Sequence, residues 1–142
     1  MDTKGLVNSE VGEDNIIEMR WLFQLEFAGT LIFFHQVTVP PGKVEGNHQH
    51  IGSEELYYII EGKGIAYLRK GDDPKIDALT DEERSVRGIR LEQRDVMGLG
   101  QRDFWALPVR PGSMIFTKSG GMHGIRNNGE ADLKFVAFLY HQ

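Results

Sequence analysis

The stretch Gly46-Asn47-His48-Gln49-His50-Ile51-Gly52-Ser53-Glu54-Glu55 runs straight into the apolar segment Leu56-Tyr57-Tyr58-Ile59-Ile60. In an extended chain, residues i and i+2 point to the same face. His48 and His50 therefore project together, as two imidazoles aimed at one point. A turn at Ile51-Gly52-Ser53 can fold Glu55, at the head of the next strand, back beside them. A third imidazole, His123, lies far downstream in Gly120-Gly121-Met122-His123-Gly124-Ile125-Arg126-Asn127.

The flanking sequence has the same extended character. Leu31-Ile32-Phe33-Phe34-His35-Gln36-Val37-Thr38-Val39 is rich in β-branched and aromatic residues and ends at Pro40-Pro41-Gly42. Trp21 to Phe27, Glu55 to Ile60, Ile65 to Leu68, Ser113 to Thr117 and Leu133 to Tyr140 read as further strands. Glu61-Gly62-Lys63-Gly64 suggests a hairpin joining Glu55–Ile60 to Ile65–Leu68. Asn128-Gly129 suggests another between His123 and the last strand. Val86 to Leu91 alternates like a strand, and Phe104 to Leu107 is apolar. Thr80-Asp81-Glu82-Glu83 has the form of a capping box, which predicts one short helical turn. Residues 1 to about 15 are polar and read as an arm. Short strands separated by Gly and Pro turns indicate an all-β sandwich or barrel, in one domain spanning residues 1–142.

Composition narrows the function classes. The chain has 142 residues, 40% hydrophobic and 26% charged, which suits a globular domain with a sizeable core. A formal net charge of -5 offers no general attraction to nucleic acid or to an anionic membrane. There is no cysteine, hence no disulfide and no thiolate ligand or nucleophile. No apolar run approaches the ~20 residues of a membrane span. The start Met1-Asp2-Thr3-Lys4-Gly5 has no basic region followed by an apolar one, so cytoplasmic residence is the default expectation.

His48, His50, Glu55 and His123 are four candidate ligands for one divalent transition metal. Imidazole and carboxylate together suit Fe or Mn best, with Zn, Ni and Co also compatible. Bare histidine pairs are common on protein surfaces; here the glycine spacing adds weight. Gly42, five residues, His48-x-His50, four residues, Glu55, six residues and Gly62 resemble the first motif of the cupin superfamily. Gly112, five residues, Lys118-Ser119-Gly120, two residues, His123, three residues and Asn127 resemble the second, with Lys118 where that motif has Pro.

The resemblance implies a jelly-roll β-barrel, commonly a homodimer, with the metal held by His48, His50, Glu55 and His123. Two positions of an octahedral ion would then stay open for water or substrate. It also makes Lys63–Pro111 a long insertion between the motifs, which could serve as a lid hinged at Gly98-Leu99-Gly100 or as an edge packed on a partner subunit.

Further residues follow by alternation. Tyr57 and Ile59 share the inward face of Glu55, while Glu54 points away. His35 shares a face with Phe33 and Val37 and is a candidate for acid–base work near the metal, as is Tyr57. Arg126 alternates outward from Ile125. Three functions compete: a metal-dependent enzyme on a small organic molecule, leaning to a dioxygenase; a non-oxidative isomerase, cyclase or lyase; and a small-molecule or sugar-binding cupin without catalysis.

Overall fold

The computed structural model describes residues 2–8, 12–24 and 31–141. Among the described residues, eleven strands form two antiparallel sheets. They are β1 (Asp2–Asn8), β2 (Gly12–Gln24), β3 (Leu31–Val39), β4 (Val44–Gln49), β5 (Ser53–Glu61) and β6 (Gly64–Arg69), then β7 (Arg90–Asp95), β8 (Gln101–Val109), β9 (Met114–Thr117), β10 (Met122–Arg126) and β11 (Leu133–His141). The first sheet has the order β1-β2-β3-β11-β5-β9 and the second β4-β10-β6-β8-β7. Two short helices, α1 (Pro74–Asp77) and α2 (Asp81–Val86), lie between β6 and β7. The stretch expected as an arm contains β1 and the start of β2, and residues 25–30 lie outside the described residues.

The order of the strands corrects two expected hairpins. β5 pairs with β11 and β9, whereas β6 pairs with β10 and β8. The Glu61–Gly64 link thus carries the chain from one sheet to the other. Gly62 sits there at φ +82, and a Cβ on it would lie 2.3 Å from the Asp132 carbonyl oxygen, so only glycine fits. Likewise β10 and β11 belong to different sheets, so the Asn128-Gly129 segment is a crossing. In both places local turn chemistry suggested a hairpin, but burying both sheets' inner faces requires the chain to switch sheets.

Lys63–Pro111 supplies β6, β7 and β8, three strands of the second sheet, together with both helices. Thr80 caps α2, with both bonds of the capping box made (Glu83 N–H to Thr80 Oγ1 3.1 Å, Thr80 N–H to Glu83 Oε1 3.5 Å). Residues 86–91 are not a strand throughout. α2 runs to Val86, and β7 starts at Arg90, because the capped first turn outweighs the weak alternation that follows. The helices are tied to β8: Trp105 Nε1–H donates to Asp77 at 2.8 Å, and the Arg84 guanidinium lies 4.4 Å from the Trp105 ring centre. Among the described residues no helix is long and apolar enough to cross a membrane.

The core lies between the sheets. Val37, Val39, Ile59, Ile125, Leu133 and Phe135 are wholly buried there. On β11 the inward set is Leu133, Phe135, Ala137 and Leu139; Phe138 faces outward and stacks on Phe34 at 4.2 Å.

Candidate metal centre

Four elements bring the predicted ligands together. Antiparallel pairing sets His123 of β10 opposite His48 of β4, while β5 brings Glu55 across from the facing sheet. His50 follows the end of β4, in a turn held by Gly120 N–H to the His50 carbonyl (2.7 Å) and Gln49 Nε2 to the Gly120 carbonyl (2.7 Å). The Lys118 turn closes with Gly121 N–H on the Lys118 carbonyl at 2.9 Å and Gly120 at φ +85. Lysine thus serves at the turn's first position, and glycine provides the left-handed step.

The four ligand atoms all lie within 4.8 Å of one another. Glu55 Oε1 is 2.8 Å from His123 Nε2, 3.0 Å from His50 Nε2 and 3.8 Å from His48 Nε2. His48 Nε2 and His123 Nε2 are 2.9 Å apart. His48 Nδ1 lies 2.9 Å from the Gly46 carbonyl, to which only an N–H can bond, so its Nδ1 is protonated. His123 Nδ1 lies 2.7 Å from the buried Thr117 hydroxyl. In the tautomer that donates this Nδ1–H to Thr117, the His123 Nε2 lone pair points at a carboxylate oxygen. Two acceptors at 2.8 Å repel unless a cation lies between them. Three imidazoles and one carboxylate, with the His48 and His123 rings each held at Nδ1 by an outer hydrogen bond, fit a divalent metal.

Without a metal, protons redistribute within the cluster. Burial works against the His48 imidazolium, but Glu55, Glu45 and the Gly46 carbonyl outweigh it and lift its pKa to about 9. Burial holds His123 down to about 4. Burial also opposes ionisation of Glu55, yet hydrogen bonds from the three histidines hold its carboxyl well below the usual range. One positive charge on His48 therefore sits beside the Glu55 carboxylate.

Tyr57 points inward, as alternation requires, and is buried. Its ring stacks on His123 at 4.8 Å and its hydroxyl lies 3.5 Å from His123 Nε2. Burial, then Glu45 and Glu55, push the phenol pKa well above its ordinary value. His35 is buried on the same rung of the sheet, paired across Ala137 with Tyr57. Burial lowers its pKa to about 4, so it is neutral at pH 7. Glu54 pairs with Tyr140 on the outer face, and Arg126 sits beside Tyr67, away from the cluster.

Sequence reading missed Glu45. Strict alternation from His48 turns Gly46 and Val44 inward and Glu45 outward. The pairing shows otherwise: between His123↔His48 and Ile125↔Glu45, β10 advances two residues and β4 advances three. One extra residue at Gly46-Asn47 makes a β-bulge, which brings Glu45 round to the face of His48. Asn47 points outward and donates to the Asp95 carbonyl at 3.2 Å. Gly124 lies against the bulge; a Cβ there would stand 2.6 Å from Asn47 Oδ1 and 2.9 Å from the Glu45 carbonyl. The Glu45 carboxylate accepts a short hydrogen bond from the Tyr57 hydroxyl and lies 3.8 Å from His48 Nε2. The Gly-x-x-x-Gly-Asn-His context carried a weak signal for this, since Gly-Asn next to a strand pair often marks a bulge.

No family model matches the chain. An oxalate-binding protein of Thermotoga maritima is 28% identical over 106 residues, covering 75% of this chain; the chain spans 60% of that relative's length. Among solved structures, a predicted oxalate decarboxylase of Thermotoga maritima superposes with TM-score 0.65 at 24% identity, over 100% of this chain and 93% of that one. A cupin domain from Schizosaccharomyces pombe gives 0.58 at 10% identity, over 89% of this chain and 65% of that one. A recombinant oxalate oxidase in complex with glycolate gives 0.59 at 14% identity, over 95% and 55%. At these identities the structural likenesses speak for the fold. With both motifs in its sequence and this two-sheet barrel around them, the chain has the cupin jelly-roll fold.

Proposed function

We propose that the chain is a metal-dependent cupin enzyme acting on a small oxygen-rich organic molecule, with His48, His50, Glu55 and His123 as the metal ligands. The observation that carries this reading is the convergence of three Nε2 atoms and one carboxylate oxygen within 4.8 Å. When bound, a divalent Fe or Mn ion supplies Lewis-acid polarisation of the substrate and, being redox-active, a route to dioxygen chemistry. The chain's own residues hold and orient. Thr117 and the Gly46 carbonyl fix the imidazole rings, Glu55 brings negative charge, and Tyr57 roofs His123. The likeness to an oxalate-binding protein supports a small ligand with two metal-directed oxygens.

Oxidative chemistry, of dioxygenase type, is the favoured form. A non-oxidative isomerase or lyase is the second, and the Tyr57–Glu45 hydrogen bond favours it by providing a proton-holding pair beside the cluster. In that reading Tyr57 carries the proton, and neutral, buried His35 tunes it from the same rung. The homodimer expectation draws support from exposed Tyr58, Ile60, Met114 and Phe116 on the first sheet.

Metal analysis of wild-type and His123→Ala protein tests the centre. One ion per chain in the first and a near-complete loss in the second is expected; equal metal content in both would overturn the assignment. Oxygen uptake by the Fe-loaded protein over a panel of enols, catechols and hydroxy acids then separates the two chemistries. Turnover under strict anaerobiosis with Zn favours the proton-transfer form.

A further inference from the structure

The bulge in β4 has placed an additional carboxyl group at the cluster. Glu45 is not one of the four converging ligands, yet its Oε1 lies 3.8 Å from His48 Nε2. The same oxygen takes the Tyr57 hydroxyl hydrogen, and Tyr57 is in turn seated on His123 and on Phe135, 4.5 Å away. Glu45 is thus held in place from below, with its side chain about one-seventh exposed (14%). A carboxylate accepts hydrogen bonds and donates none. A ligand beside it is stabilised by offering an O–H and destabilised by offering a second bare carboxylate.

The surrounding charges accentuate this. Glu55 is a second carboxylate 3.8 Å from the same His48 Nε2. Arg69, on a strand next to β10, is committed to Asp72 at 2.7 and 3.0 Å and to the Gly120 carbonyl at 3.2 Å. A dianion placed here would face the Glu45 and Glu55 carboxylates, with the metal as its counter-charge. A 2-hydroxy acid or an enediol presents the same pair of metal-directed oxygens and adds at least one hydroxyl donor.

We propose that Glu45 touches the bound molecule and sets its class: a chelating ligand with a hydroxyl donor, such as a 2-hydroxy acid or enediol, over a fully ionised dicarboxylate such as oxalate. This rests on the metal-centre reading above and deepens it. It also separates this chain from what the names of its relatives suggest.

The test uses Mn(II)-loaded full-length protein, with glycolate and oxalate as probes in titration calorimetry at pH 7.5. Metal content is measured first. Wild-type protein that holds no metal sinks the metal-centre reading and this inference with it. In metal-loaded wild type, glycolate should bind more tightly than oxalate. Glu45→Gln keeps the shape, still accepts from Tyr57 and turns an N–H₂ donor to the ligand. It should retain its metal and move the glycolate-over-oxalate preference toward oxalate by about tenfold or more, as expected when a charged hydrogen-bond partner is exchanged. Glu45→Ala, which adds no donor, should move it in the same direction. Wild-type protein that prefers oxalate, or a preference that shifts less than about tenfold in metal-replete Glu45→Gln, overturns the role of Glu45 and leaves the metal centre standing.

Discussion

The two ends of one barrel interior are built on the same strands and have opposite chemistry. Along β5 the inward residues run Glu55, Tyr57, Ile59; along β9 they run Thr117, Ile115; along β10, His123, Ile125; along β3, His35, Val37, Val39. The registers align these sequences, so that Glu55 faces Thr117, Tyr57 faces Ile115, and Phe135 lies between Ile59 and Val37. One end is a hydrocarbon plug and the other a set of donors and acceptors that satisfy one another or a cation. Each strand changes character from polar to apolar at nearly the same level. The lesson is a division of labour: the apolar end contributes stability, which lets the other end crowd carboxylates and imidazoles at a cost in stability.

That comparison can be broken first at the apolar end. Phe135→Ala removes a wholly buried ring. It should cost about 3–5 kcal/mol in chemical denaturation of the metal-free protein. The folded fraction should still bind metal one to one. A cost below about 1 kcal/mol would mean that the plug is not what holds the barrel.

The next largest effect belongs to His35, at the boundary. Its pKa is lowered by burial from 6.5 to about 4. Well above pH 6.5 neither folded nor unfolded chain holds that proton. As the pH falls toward 4 the unfolded chain takes it up and the folded chain does not, so stability drops. The loss should approach about 3 kcal/mol at pH 4. With both proteins stripped of metal, His35→Gln should show a correspondingly flatter pH dependence of unfolding between pH 6.5 and 4. Parallel curves for the two proteins would remove His35 from the account.

At the polar end, Thr117→Val should cost about 1–3 kcal/mol in the metal-free protein, since the buried His123 Nδ1 is left without a partner, and weaken metal binding by about 10- to 100-fold, because His123 loses the group that orients it. Competition with a chelator of known affinity measures this. The smallest effect lies outside the barrel. Thr80→Ala breaks the capping box of α2 and should cost about 1 kcal/mol, with metal affinity unmoved. A loss of metal affinity in this variant would join the helical segment to the centre.

Much of this was legible in the sequence, for identifiable reasons. His48 and His50 could be paired because period-2 spacing is local, and Glu55 because it heads the next strand. His123 needed the glycine spacing of a second motif, since nothing local ties it to His48. The Thr80 cap was also a local signal and was read correctly. The failures were non-local. Asn128-Gly129 has the chemistry of a hairpin turn, but the partner of each flanking strand is decided by which sheet needs it. Val86 to Leu91 alternated weakly and lost to a capped helix. Glu45 was hidden because alternation assumes an unbroken ladder, and the irregularity shows only against the partner strand, β10.

The bulge at Gly46-Asn47 has a consequence for comparing barrels of this fold with one another. At this point the side chain that looks into the site is determined by the irregularity of the ladder as well as by its spacing from the histidine. A chain of this same length with an unbroken ladder here would present Gly46 and Val44 in place of Glu45 and exchange an acidic wall for an apolar one, whereas a chain one residue shorter would keep the carboxylate inward with no bulge at all. The bulge therefore absorbs one extra residue before the first histidine without changing which side chain faces the site, and Gly124, with no side chain to obstruct that residue, is what makes room for it.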